Sequence, residues 1–201
     1  LSGTPCCLQQ DNSKLQNFLD LTNEKSSLII QHPRSSSTGQ AFLLWTIAAF
    51  GDNWEDFWRQ LKPSIYTVSS GWSESFSRFS KGEVPMIVSY ATDGAYSYEY
   101  YSSTKNKTFI PEEGAYVQIE GVGIVNGTKN LELAQKFIEF VLTEDFQKEI
   151  PLNQWMFPVI KVELPDSFEY AVIPDKFLIL SADVIDKNIE DWLIKWEKII
   201  Y

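Results

Sequence analysis

The chain has 201 residues, 44% of them hydrophobic, enough to bury a real core in one or two compact units. A formal net charge of −10 argues against non-specific nucleic-acid binding, which needs clustered Lys and Arg, and suits either a cationic ligand or plain solubility. No uninterrupted apolar stretch approaches the roughly 20 residues that cross a bilayer, and no basic start followed by an apolar run marks a signal peptide.

The first ten residues carry the only cysteines, Cys6 and Cys7, as neighbours. Adjacent cysteines cannot staple distant parts of a chain, and without a CxxC pair neither a disulfide framework nor a zinc site is expected. Residues 27–31 (SLIIQ) predict a buried strand, followed by the turn-rich segment 32–39 (HPRSSSTG). Ala41, Leu44, Trp45 and Ala48 then recur at helical spacing up to Gly51, a natural stop. A short helix is predicted over 54–61, with Phe57, Trp58 and Leu61 facing inward and Pro63 beyond its end. Residues 65–68 read as a strand, 72–81 as a helix with Trp72, Phe76 and Phe79 on one face, and 85–90 (PMIVSY) as a strand again. This alternation is the signature of an α/β layer architecture with a largely parallel sheet.

Residues 104–114 read as a polar surface loop and 116–125 as an extended segment. An amphipathic helix follows over 131–142, its stripe made of Leu133, Phe137, Phe140 and Val141. A short helix over 143–150 is closed by Pro151, and a long last helix over 183–200 presents Ile185, Ile189, Trp192, Trp196 and Ile199.

Three features could carry chemistry. Ser35, Ser36, Ser37 and Thr38 lie between a strand's C-terminal end and a helix start, the place where open α/β sheets bind ligands and where free N–H groups favour anions. The same residues could simply cap the helix. Several aromatics fall at strand ends, helix starts or loops, namely Trp72, Tyr90, Tyr96 and Trp155. Each could pack in the core, or offer its ring face to a quaternary nitrogen at ~0.5–2 kcal/mol. Asp93, before Gly94, is either a ligand carboxylate or a turn residue. There is no GxSxG elbow, HExxH pair or Walker loop, and His32 is the only histidine, so neither catalysis nor a metal site is expected.

Taken in order, QHPRSSSTGQAFLLW, SSGWSESFSRFSKGE, MIVSYATDGAY and IPLNQWMFPV resemble the thiamine-binding substrate proteins of ABC transporters. The resemblance runs from about Leu15 to the end of the sequence and implies the type II periplasmic-binding-protein fold, two α/β lobes that close on thiamine or its phosphates. By position it implies Ser36 and Ser37 at the phosphate or hydroxyethyl end. Trp72, Tyr90, Tyr96 and Trp155 would form an aromatic cage, with further contacts from Tyr90, Ala91, Thr92 and Asp93. It further implies an extracytoplasmic location, a membrane permease as partner, no cofactor beyond the ligand, and no reaction.

Members of that family are about half as long again, the difference being an N-terminal portion that builds most of the first lobe. Residues 15–115 and 156–201 would form mainly the second lobe, and 116–155 a crossover segment completing the first. Residues 1–14 match nothing in the family pattern. Without its lobe partners, the stripe of Leu133, Phe137 and Phe140 would be exposed and would point to a fragment of a longer protein, a partner chain carrying the rest, or an oligomer that hides it. Competing expectations on the same fold are a polyamine, a ferric ion held by the Tyr100–Tyr101 pair, or a thiaminase-like enzyme using Cys6 or Cys7.

Overall fold

Two strands, β2 (Leu28–Gln31) and β4 (Met86–Tyr90), run parallel at the heart of a sheet and feed both of its faces. Leu28, Ile30, Met86 and Val88 join a large apolar cluster on one side, while Ile29 and Ile87 join a smaller one on the other. This period-2 division of a continuous apolar run is what a strand covered on both faces requires. The computed structural model describes residues 5–9 and 15–201. β3 (Ile65–Ser69) pairs parallel with the outer side of β2, and β1 (Pro5–Gln9) lies antiparallel between β4 and β5 (Lys107–Phe109). The sheet order is β3-β2-β4-β1-β5, so four strands point one way and only β1 opposes them.

The larger cluster is aromatic. Helix α1 (Ser37–Phe50) contributes Phe42 and Trp45, and α2 (Trp54–Leu61) buries Trp54, Phe57, Trp58 and Leu61 at the predicted helical spacing. Trp58 meets Phe42 edge-on at 5.2 Å and Trp196 at 5.6 Å. Buried indoles need acceptors, and two find them: Trp45 Nε1 donates to the Gly114 carbonyl at 2.7 Å, Trp58 Nε1 to Thr46 Oγ1 at 2.8 Å. On the opposite face, α3 (Trp72–Ser80) lays Phe76 and Phe79 against Ile29, Ile87 and Val84, and α4 (Asp93–Tyr101) follows β4. The segment 104–114, read as a loop, is not all loop: Phe109 is buried and β5 pairs with β1. A three-residue strand carrying one core side chain is too short to show alternation in sequence.

Beyond β6 (Ala115–Tyr116), which pairs in parallel with β7 (Phe177–Leu178), most of the segment read as extended is irregular. Helix α5 (Leu131–Val141) forms as expected and buries none of its residues; Leu133, Phe137 and Phe140 are each half exposed or more. The next stretch divides into α6 (Glu144–Gln147) and α7 (Ile150–Gln154). Pro151 therefore sits in the first turn of α7, where its missing N–H costs nothing, and does not close the preceding helix. The last helix, α8 (Ala182–Ile200), returns to α2; it buries Leu193 and Ile200 beside the expected Trp196. Among the described residues no helix is long and apolar enough to cross a membrane.

Two glycines set the approach of helices to their neighbours. A Cβ on Gly39, in the first turn of α1, would lie 2.9 Å from the His32 carbonyl carbon and closer still to the Gln31 carbonyl. One on Gly94, in the first turn of α4, would drive into the Tyr170 carbonyl, 3.1 Å from its carbon. Both obstacles are backbone and cannot swing aside. Gly39→Ala and Gly94→Ala should each destabilise the protein by about 1–3 kcal/mol, whereas Gly121→Ala and Gly123→Ala, which open onto free space, should leave it nearly unchanged. Urea unfolding midpoints of the four variants check this.

Candidate functional site

Three strands of the parallel set, β2, β3 and β4, each lead at their C-terminal ends into a helix, and β2 is the point where the order reverses, with β3 on one side and β4 on the other. A crevice opens at such a point because the two outgoing connections diverge. The three helix starts gathered there carry Ser36, Trp72 and Asp93.

Ser36 is the N-cap of α1, its Oγ accepting the Gly39 N–H at 3.3 Å, and Ser37 is the exposed first residue of the helix. The capping role left open by the sequence is thus filled by Ser36. Ser35 Oγ donates to the Ser70 carbonyl at 2.9 Å and so joins this loop to the turn before α3. Thr38 Oγ1 donates to the Tyr90 hydroxyl at 2.8 Å, joining it to the end of β4. The loop's guanidinium faces elsewhere: Arg34 pairs with Glu197 at 2.7 Å and Glu190 at 3.0 Å, both on α8, and these carboxylates raise its pKa.

A cleft of about 180 Å³ is lined by Trp72, Tyr90, Asp93, Tyr96 and Trp155, together with Gln118, Glu120, Gln154 and Met156. Four aromatics and one carboxylate picked out in the sequence therefore share one cavity. Tyr96 is the hub: its ring stands edge-on to Trp72 at 5.5 Å and to Trp155 at 5.1 Å. Burial, then the neighbouring Tyr101 hydroxyl, raises the Tyr96 pKa, so the phenol keeps its proton. Trp155 ends α7 in the left-handed region at φ 55°, an uncommon conformation for a bulky residue. It is held there by Thr92, whose hydroxyl donates to the Trp155 carbonyl at 2.7 Å, and by Phe168, stacked on the indole at 6.2 Å.

Asp93 is almost completely buried and accepts hydrogen bonds from the Ser89 hydroxyl and from the Tyr90 N–H at 3.3 Å. Burial pushes its carboxyl up to about 7, against the opposing effect of the Tyr90 N–H and the nearby Trp72 indole. Ala91 and Thr92 are buried and do not line the cleft: the Ala91 carbonyl accepts the Val172 N–H at 2.9 Å, and both residues tie the start of α4 to the segment after Trp155. Ser36 and Ser37 are likewise outside the cleft's lining. Gln118 and Glu120 were not singled out by sequence reasoning. They alternate on the segment read as extended, and that period of two was the available signal for a shared face.

The arrangement can hold a flat, positively charged molecule: ring faces and edges on several sides, a buried carboxyl behind, and the exposed Glu120 at the rim. Tyr100 and Tyr101, the pair considered for iron, are both exposed, one against Trp155 and the other against Phe76. Among the described residues no group of three or more His, Cys, Asp or Glu is placed to hold a metal ion.

Residues 23–148 match the family model of bacterial extracellular solute-binding proteins. The chain is 33% identical over 196 residues to a thiamine-binding periplasmic protein of Salmonella typhimurium, covering 94% of this chain and 60% of that one. It is 36% identical over 172 residues to one of Brucella melitensis, covering 84% and 51%. It therefore spans between half and two thirds of these relatives' length. A solved periplasmic thiamin binding protein superposes with a TM-score of 0.92 at 30% identity, over all of this chain and 64% of the other. The ferric binding protein from Campylobacter jejuni superposes at 0.81 with 16% identity, over 98% of this chain and 68% of the other, a likeness of fold alone. The α/β architecture is that of the type II periplasmic binding proteins. A parallel sheet whose helix starts enclose an aromatic cleft, matched by the family model over most of its length, makes the chain a member of the bacterial extracellular solute-binding protein family.

Proposed function

We propose that this protein captures thiamine, free or phosphorylated, outside the cytoplasm and delivers it to the membrane permease of an ABC transporter, with no chemistry and no cofactor of its own. One observation carries the reading: Trp72, Tyr90, Tyr96 and Trp155 line one cleft with Asp93 and Glu120. Thiamine joins an aminopyrimidine to a permanently cationic thiazolium, so it offers flat faces for ring contacts and a charge for the ring quadrupoles and carboxylates to attract. The names and periplasmic placement of relatives at least 30% identical to this chain support both ligand and compartment. Ser36 and Ser37 serve the hydroxyethyl or phosphate end at the start of α1, with Thr38 and Tyr90 bridging that end to the cage. Ala91 and Thr92 act by holding the start of α4 in register with Trp155.

In this reading residues 15–115 and 156–201 form one wall of a two-walled site, and 116–155 reach toward the other lobe. The half-exposed stripe of Leu133, Phe137 and Phe140 on α5 is the face that the other lobe covers. Closure of the two walls buries the ligand, and the permease recognises the closed form.

Calorimetric titration of the protein in its full encoded length with thiamine, its monophosphate and its diphosphate tests the reading. Saturable binding of at least one form is expected. Silence with all three, and binding of spermidine or ferric ion in their place, would overturn it, as would turnover of thiamine by a thiaminase-type exchange. Replacing Trp72 or Trp155 by Leu should weaken thiamine binding roughly tenfold, as expected for loss of one ring contact of ~0.5–2 kcal/mol.

Asp93 adds a pH signature. Its carboxyl titrates at about 7 in the empty site because burial favours the neutral form, and a bound cation favours the charged form. Binding must then release protons near neutrality, and affinity must rise as pH climbs through about 7 and level off above it. Titrations across that range, in buffers of different ionisation heat, measure both effects, and Asp93→Asn should flatten the profile.

A further inference from the structure

Trp72 is fixed from behind by a directional line of polar groups. Its indole N–H donates to Ser89 Oγ at 2.7 Å, and the Ser89 hydroxyl donates in turn to Asp93 Oδ2. An indole can only donate and an ionised carboxylate can only accept, so with Asp93 charged the single Ser89 proton points to the carboxylate. The line therefore runs one way and ends on Asp93, which also accepts the Tyr90 N–H. Ser89 is completely buried on β4, one residue before the cleft, and Asp93 is 2% exposed.

The start of α3 is pinned by a second set of buried groups: Ser75 Oγ lies 2.6 Å from Ser69 Oγ and accepts Gln31 Nε2 at 2.8 Å. Backbone position and indole rotation are thus set independently, the first by Gln31, Ser69 and Ser75, the second by Ser89. Phe76, stacked on the indole at 4.8 Å, and Tyr96, edge-on to it, occupy its remaining surroundings.

Building on the ligand reading given above, we propose that Ser89 and Asp93 are positioning residues, which lock the indole of Trp72 in the orientation that presents its ring to the ligand. An indole face attracts a cation only when it is turned toward it, and a half-buried Trp free to change rotamer would lose that order each time a ligand leaves. The relay keeps the wall in place in the empty site. Asp93 then has a second role beside the charge it offers the ligand: it anchors the line that holds Trp72.

The test uses Ser89→Ala, Ser89→Thr, Asp93→Ala, Asp93→Asn and Trp72→Phe in the full encoded protein. In ligand-free 1H–15N spectra the Trp72 indole cross-peak, assigned by its loss in Trp72→Phe, should shift and broaden in Ser89→Ala and Asp93→Ala and stay near its original place in Ser89→Thr and in Asp93→Asn, whose side-chain carbonyl still accepts from Ser89. Ser89→Ala should weaken thiamine binding about five- to tenfold. In the Trp72→Phe background the same change should cost less than about twofold, because the group it positions is gone. An unmoved cross-peak in Ser89→Ala, or an equal loss of affinity in both backgrounds, would overturn the proposal. If the wild-type protein binds no form of thiamine, the ligand reading fails, while the cross-peak still decides whether Ser89 and Asp93 hold Trp72. Should Ser89→Ala not fold, the spectra of Asp93→Ala decide the same question. Asp93→Asn removes a buried carboxyl whose raised pKa disfavours the folded state above about pH 4, an effect that grows up to about 7 and then stays constant. Asp93→Asn should accordingly be no less stable than the wild type at pH 8.

Discussion

Burial of β2 and β4 on both faces is the constraint from which the rest of the molecule follows. A strand whose every side chain meets a packed layer has no room for polar groups along its length, so polarity is driven to the C-terminal ends, where the chain turns out toward the next helix. The buried polar side chains of β2, β3 and β4 follow the rule. Gln31 is engaged by Ser75 and the Val88 carbonyl, Ser69 by Ser75, and Ser89 by Trp72 and Asp93. All lie at that one end. They form a buried seam between the sheet and α3, with the aromatic cleft directly beyond it.

The cleft is also a meeting of distant parts of the chain. Trp72 and Tyr96 come from two successive helix starts, Trp155 from a segment some sixty residues later. The joint depends on close backbone approach. Gly94 lets Tyr170 touch α4, the Ala91 carbonyl receives Val172, and Phe168 stacks behind Trp155. The left-handed backbone at Trp155 is sustained by these contacts, an instance of local strain that the surroundings over-determine at a site of interest.

Much of this was legible in the sequence, for identifiable reasons. α2 and α5 declared themselves through helical spacing, and β2 and β4 through short apolar runs bounded by turns. Elements made by pairing alone were invisible: β5 carries one core residue, and β1 lies in a stretch without a pattern. Trp72, Tyr90, Tyr96 and Trp155 could be picked out because they sit where regular structure begins or ends, yet only coordinates could bring them to one cavity. Asp93 was ambiguous in sequence because Asp-Gly also signals a turn; its burial depends on α3 and on the segment around residue 170. Ser89 had no signal at all, being one serine inside an apolar strand. The expected α8 stripe of Ile185, Ile189, Trp192, Trp196 and Ile199 does pack on the core, and the structure adds Leu193 and Ile200 as its most buried members beside Trp196.

The return of α8 to α2 has a kinetic consequence. Trp196 closes the aromatic cluster around Trp58 and Phe42, so more than 130 residues separate the two sides of that contact. During synthesis the first half of the chain can form β2, α1, α2, β3, α3 and β4 in succession, but one flank of its core stays open to water until residues 182–200 have emerged. Contacts that span such distances are slow to form, because the loop entropy is lost before the burial is gained. In the folded protein the amphipathic face of α8 thus covers an aromatic surface that the residues before it leave open.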